Sequence, residues 1–233
     1  MKGIRGWMGL LLGLLATVGL QAQHGHMNAG AKGTEQGSQL AWINGALFVE
    51  SSGYVGNMLY SHTGTYAGHY NSGPSLTALP ATVANGGPSG SASALGSFLE
   101  FRYTVVAGPD GGEFSFWDGG AALPITSMGV GQTSALFPLS GGEDNPSAGT
   151  VGGDPYGHLH GRRFSADLAG DYIVAFQVVD TSVNGLGGGP IHTPSDLLNV
   201  RFRVVPEPEA VALMGVGLVS VLWMARRKLR SSR

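Results

Sequence analysis

An all-β fold of the Ig-like or jelly-roll type, an antiparallel β-sandwich of two packed sheets, is what the middle of this chain predicts. Three observations predict it. Glycine reaches 40 of 233 residues and is scattered between apolar runs, without the Gly-X-Y period of collagen. Short apolar or alternating runs follow one another, punctuated by Gly, Pro, Asn and Asp. Helical periodicity with caps is missing between residues 23 and 205. Apolar residues make up 42% of the chain, enough to build a core, so the middle reads as folded and not as linker.

In chain order the expected strands are 39–43, 46–50, 97–106, 112–117, 133–138, 158–165, 170–180 and 197–205. Phe98, Phe101 and Tyr103 do not alternate cleanly, which suggests a strand buried on both faces or bulged. Tyr172, Val174, Phe176 and Val178 alternate with Ile173, Ala175, Gln177 and Val179, the pattern of a largely buried strand in the middle of a sheet. The turn and tyrosine of Ala169-Gly170-Asp171-Tyr172 look like the opening of a late strand in Ig-like sandwiches. Longer loops are expected at 73–94, 140–157 and 181–196. No internal repeat is evident, which excludes solenoids and propellers.

The two ends read differently from the middle. Lys2 and Arg5 precede an apolar run from Trp7 to Leu20, and the small residue Ala22 follows. That order is a secretory signal peptide over residues 1–22. It leaves a middle domain over 23–204 and a C-terminal segment over 205–233. There, Val205-Pro206-Glu207-Pro208-Glu209 leads into sixteen uncharged residues, 210–225, followed by Arg226, Arg227, Lys228 and Arg230. As a helix that run spans about 24 Å, so snorkelling basic residues would complete a single transmembrane crossing. Basic residues after the span leave that end in the cytoplasm, so both ends place the middle outside.

The tail resembles the PEP-CTERM sorting signal in its Pro206-Glu207-Pro208 motif, its apolar span and its Arg226-Arg227 end. The resemblance implies an exosortase-type processing enzyme as partner. It also implies an inner-membrane-anchored precursor with the cell surface as destination, in bacteria that make exopolysaccharide.

Charge supports the split. Residues 23–205 hold six Lys and Arg against thirteen Asp and Glu, a net charge of −7 hidden in a chain total of −2. An acidic exported domain argues against nucleic acid and favours cations. The chain has no cysteine, which excludes disulfides, thiolate metal sites and Cys nucleophiles. Any metal must then be held by His nitrogens and carboxylate oxygens.

Seven histidines occur, and four form two His-x-His pairs, His24/His26 and His158/His160. On a strand, residues i and i+2 share a face about 6.5–7 Å apart, close enough for two imidazoles to converge on one ion. Zinc is the expected ion. His192, in Gly189-Pro190-Ile191-His192-Thr193-Pro194, is a further candidate ligand, with Asp154 and Asp196 as acidic neighbours. His62 and His69 read as structural or solvated. His24/His26, near the mature N-terminus, could equally be a polar tip. Arg162 and Arg163 directly follow the second pair, where a cation would weaken metal binding; they are expected to pair with Asp154 or Asp167.

Two stretches resemble the zinc-uptake-regulator-repressed PEP-CTERM proteins: His24-Gly25-His26-Met27-Asn28-Ala29-Gly30-Ala31, and Asp180-Thr181-Ser182-Val183-Asn184-Gly185 through Pro194. Tyr156-Gly157-His158-Leu159-His160 before Gly170-Asp171-Tyr172 looks like a surface module with a Gly-His-x-His motif. The resemblance implies expression under zinc shortage and capture or storage of zinc at the surface, with His24, His26, His158, His160 and His192 as ligands.

Three functions compete on these grounds. A non-catalytic zinc-binding surface protein leads. A structural or adhesive matrix protein, with exopolysaccharide as partner and no metal site, is the alternative. A metal-dependent hydrolase or oxygenase comes last: Glu113, Glu143 and Asp154 can be nominated as bases, but no His-Glu-x-x-His, Gly-x-Ser-x-Gly, phosphate-loop or dinucleotide motif is present. No catalytic residue is assigned, and no enzymatic activity is expected.

Overall fold

A computed structural model describes residues 25–118, 121–143, 145–159 and 162–204. The expected signal peptide, the apolar span 210–225 and the sorting residues Pro206, Glu207, Pro208, Arg226 and Arg227 lie outside the described residues. Among those described, no helix is long and apolar enough to cross a membrane.

The described residues form β1 (His26–Ala31), β2 (Leu40–Trp42), β3 (Gly56–Tyr60), β4 (Tyr70–Ser72), β5 (Ser75–Ala78), β6 (Leu99–Ala107) and β7 (Phe114–Trp117). They continue with β8 (Thr126–Met128), β9 (Phe137–Pro138), β10 (Gly157–His158), β11 (Arg163–Ala166), β12 (Gly170–Asp180) and β13 (Leu198–Val204). The fold is all-β, as expected. The smaller sheet has the order β10-β5-β1-β2, and the larger has the order β8-β7-β11-β4-β3-β13-β12-β6-β9.

Both sheets are mixed, which corrects the expectation of two antiparallel sheets. β1 runs parallel to β5, and β13 runs parallel to β3. Parallel neighbours need long connections, and the 43 residues between β1 and β5 supply one that turn signals alone do not reveal.

The larger sheet folds over on itself. β6 and β7 stand six places apart, so in a flat sheet they would be about 29 Å apart. Yet Phe101 of β6 lies 5.3 Å from Phe116 of β7, centroid to centroid, and Tyr103 lies 5.8 Å from Phe114. At the open seam Phe137 of β9 reaches Phe116 at 4.9 Å. The smaller sheet joins the same core: Trp42 meets Phe176 edge-on and donates its indole N–H to the Phe176 carbonyl. Burial pushes the buried Tyr103 hydroxyl well above its ordinary pKa.

β12 takes the expected bounds, and Tyr172, Val174, Phe176 and Val178 are fully buried between β13 and β6. The irregularity expected near Phe98 resolves differently. Leu99, Phe101, Tyr103 and Val105 alternate inward, Phe98 precedes the strand, and the register shift lies opposite, between Ile173 and Val174. Tyr172 donates its hydroxyl to the Leu168 carbonyl; burial, then the charge of Asp167, pushes its pKa up to about 12.

Three expected strands changed. Residues 46–50 are replaced by 3-10 turns at Gly45–Leu47 and Glu50–Ser52, where only Phe48 turns inward while Leu47 stays exposed. Residues 133–138 keep strand pairing only at Phe137–Pro138, beside an isolated bridge from Thr133 to Thr104. Residues 158–165 break into β10 and β11, which belong to different sheets.

Two buried carboxylates hold the loops. Asp154 accepts from the amides of Ala81, Thr82 and Tyr156, the Thr82 hydroxyl and the Asn85 side chain. Burial by itself would raise its pKa, but the bonds from Thr82, Ala81, Asn85 and Tyr156 outweigh that and hold it below the ordinary 3.8. A depressed carboxyl stabilises above its unfolded pKa and stops doing so as pH falls through the lower folded value. Asp154→Asn is therefore expected to cost about 2–3 kcal/mol at pH 7. In urea titrations its deficit against the parent should narrow once pH drops below 3.8.

Candidate functional site

The smaller sheet brings together two of the five expected ligands, one from each His-x-His pair. β5 lies between β1 and β10, with His26 in register with Ser75 and His158 with Thr77. Ser75 and Thr77 share a face, so both histidines project on the same side of the sheet. Strands two places apart are about 10 Å from each other, yet the imidazoles lean over Thr77 until their centroids are 4.8 Å apart at 38°. The Thr77 hydroxyl shares a 3.1 Å hydrogen bond with His26 Nδ1 and fixes that ring. His26 is exposed and His158 half-buried.

Sequence dictates this meeting through glycine. A Cβ on Gly157 would lie 2.1 Å from the Leu139 carbonyl oxygen and 2.7 Å from Ser140 Cα, both backbone. Only glycine lets β10 press against that segment, which positions the next residue, His158. His158 also borders a cleft of about 670 Å³ whose wall includes Asp118, Ser140, Glu143 and Arg162.

The donor set fits a transition metal in part. With Zn–N bonds of about 2.0–2.1 Å in tetrahedral geometry, the centroids of two ligating imidazoles stand roughly 5 Å apart. An oxygen acceptor on the other ring nitrogen orients such a ligand, commonly a carboxylate, backbone carbonyl or water; here the Thr77 hydroxyl stands in that place for His26. The described residues contain no group of three or more His, Asp or Glu placed to hold an ion. His24 and His160 lie outside the described residues.

His192 is not part of this pair. It is 2% exposed, and its Nε2 accepts the Ala94 amide N–H at 2.9 Å. That places the ring proton on Nδ1, within 3.1 Å of the Ser38 carbonyl. Ser38 adjoins the end of β2 that pairs with Ala31, five residues and about 16 Å along β1 from His26. The ring fastens one loop to another, and a metal on Nε2 would have to displace the Ala94 amide. Asp154 is likewise saturated by its five partners, and Asp196 lies exposed beside Lys32 and Gln39.

The arginines differ from expectation as well. Arg162 pairs with Asp118 at 2.8 Å, and Arg163 binds Asn71 and stacks over Tyr66. Neither pairs with Asp154 or Asp167. His69 packs edge-on against Trp117, as does Tyr66, so a structural role for His69 agrees with its surroundings.

Beyond β13 the chain continues into the tail. Residues 204–228 match the family model described as the PEP-CTERM protein-sorting motif. The chain carries a PEP-CTERM sorting signal. The signal implies processing by an exosortase and membrane anchoring at the C-terminus, and it gives the protein a surface or extracellular destination. No curated protein and no solved structure matches the chain.

Sequence reasoning missed Thr77, whose segment was expected to be loop, and it did not bring His26 beside His158. A single sequence carries no signal for that pairing. Only the register of β1, β5 and β10 defines it.

Proposed function

We propose that this exported PEP-CTERM protein is a non-catalytic zinc binder whose site is founded on His26 and His158. The observation that carries the reading is the convergence of these two imidazoles over Thr77, at a spacing that suits chelation. The acidic charge of residues 23–205 supports a cationic ligand. The likeness to zinc-uptake-regulator-repressed PEP-CTERM proteins supports zinc in particular, and with it capture or storage of zinc at the surface under shortage. Zinc bound there would bridge β1 and β10 across β5. Its chemistry would be that of a held ion, with the two histidines fixing its place.

The test is metal content of the full chain, purified without a tag in mild detergent, beside His26→Ala/His158→Ala. The parent is expected to retain close to one zinc per chain after dialysis, and the double variant to lose at least about tenfold in affinity with its far-UV spectrum unchanged. Parent affinity should fall with falling pH, because protons compete for imidazole. His192→Ala should keep its zinc. A parent that takes up no zinc, or a double variant that binds as well as the parent, would sink the reading.

A further inference from the structure

The exit of β13 determines which end of the domain meets the membrane. The sorting motif begins at residue 204, and Val204 is the last residue of β13. Residues 205–209 are all that separate this strand from the apolar run at 210. Five residues reach at most about 17 Å fully extended. The end of the larger sheet that carries Val204 is therefore held at the bilayer surface whenever the C-terminus is anchored.

On the β3 flank of the exit lies a stretch without charged residues. β3 runs parallel to β13, with Met58 opposite Val204, so Tyr60 and the loop after it advance beside the departing chain. That loop, 61–69, reads Ser-His-Thr-Gly-Thr-Tyr-Ala-Gly-His and holds no Asp, Glu, Lys or Arg. Tyr60 and Tyr70 face each other across β3 and β4 with centroids 5.0 Å apart, both half-exposed, and His62 packs against Tyr60. On the other flank of β13 the turn into β12 exposes Leu168. Acidic groups at this end are Asp167, next to the Ala166 that pairs with Tyr70, and Asp171, beside the exit and held by Arg201 and Arg203, with Asp110 and Glu113 in the turn between β6 and β7. Tyrosines with one apolar and one wet side, on an uncharged loop, suit the headgroup layer of a bilayer.

We propose that Tyr60, Tyr70 and loop 61–69 form a lipid-facing seat, resting in the headgroup layer of the membrane that holds the C-terminus. The seat fixes the orientation of the anchored domain. It directs the opposite end outward, where Val151 stands exposed on a loop bonded to Gly96.

The chain has no cysteine, so single labels report cleanly. Thr63→Cys and Val151→Cys full-length chains would each carry a fluorophore and be reconstituted in phosphatidylcholine vesicles containing nitroxide-headgroup lipid. The label at 63 is expected to be quenched roughly threefold or more above the label at 151, and Tyr60→Ser/Tyr70→Ser should reduce that excess. Equal quenching at the two positions, or stronger quenching at 151, would overturn the proposal whatever the tyrosine variant does.

Discussion

Phe164→Ala is expected to cost about 3–5 kcal/mol. Phe164 sits on β11 at 2% exposure, where the folded-over halves of the larger sheet meet. It stacks on Phe114 at 5.6 Å and contacts Phe116 at 5.1 Å on its own half. Across the core it meets Phe176 at 5.3 Å and Tyr103 at 5.9 Å. Truncation removes the ring that bridges both halves, and rigid strands on either side prevent collapse into the space. Thermal unfolding should fall by roughly 10 °C or more for a domain of this size. A loss under about 1 kcal/mol would mean that the two halves do not pack through this ring.

Asp180→Ala should approach the same magnitude by a different route. The carboxylate ends β12 at 3% exposure and is surrounded by donors. Its Oδ1 accepts the amides of Phe98 and Ser182 at 3.0 and 2.9 Å; its Oδ2 accepts those of Ile191 and His192 at 2.9 and 3.1 Å. Alanine leaves four amide donors without an acceptor, at about 1–3 kcal/mol each before water enters, so a net loss of about 3–5 kcal/mol is expected. Asp180→Asn tests the cause, because its amide group would face two N–H donors and only part of the stability should return. Equilibrium urea unfolding with amide exchange at residues 181–197 would check both. Unchanged exchange there would show that the loop is held by other bonds.

The elements legible in the sequence are those whose own residues decide them. β12 alternates large apolar residues from Tyr172 to Val178, and its eleven residues match the expected bounds. β6 and β13 lie within two residues of expectation for the same reason. β1 was illegible because Asn28-Ala29-Gly30-Ala31 has no β-branched or aromatic residue. Its place depends on close approach instead: a Cβ on Gly30 would lie 2.0 Å from the Ser91 carbonyl oxygen. The site shows the same division. The unusual histidine pairs could be read from spacing, and the sorting signal from its motif. That His26 would meet His158, and that His192 would be consumed as a loop fastening, depends on partners 98 residues or more away in the sequence.

The position of β13 has a mechanical consequence. Force transmitted from the tether enters the folded part at Val204 and runs along the axis of an interior strand. Seven residue pairs join that strand to β12 and three join it to β3. Its hydrogen bonds lie across a pull along the strand, so they share the load in shear, whereas a pull across the strand would unzip them one at a time. Drag on the surface-held domain is thus borne by a strand braced on both of its edges, and the β1–β5–β10 ladder with its histidines is left outside the path of tension.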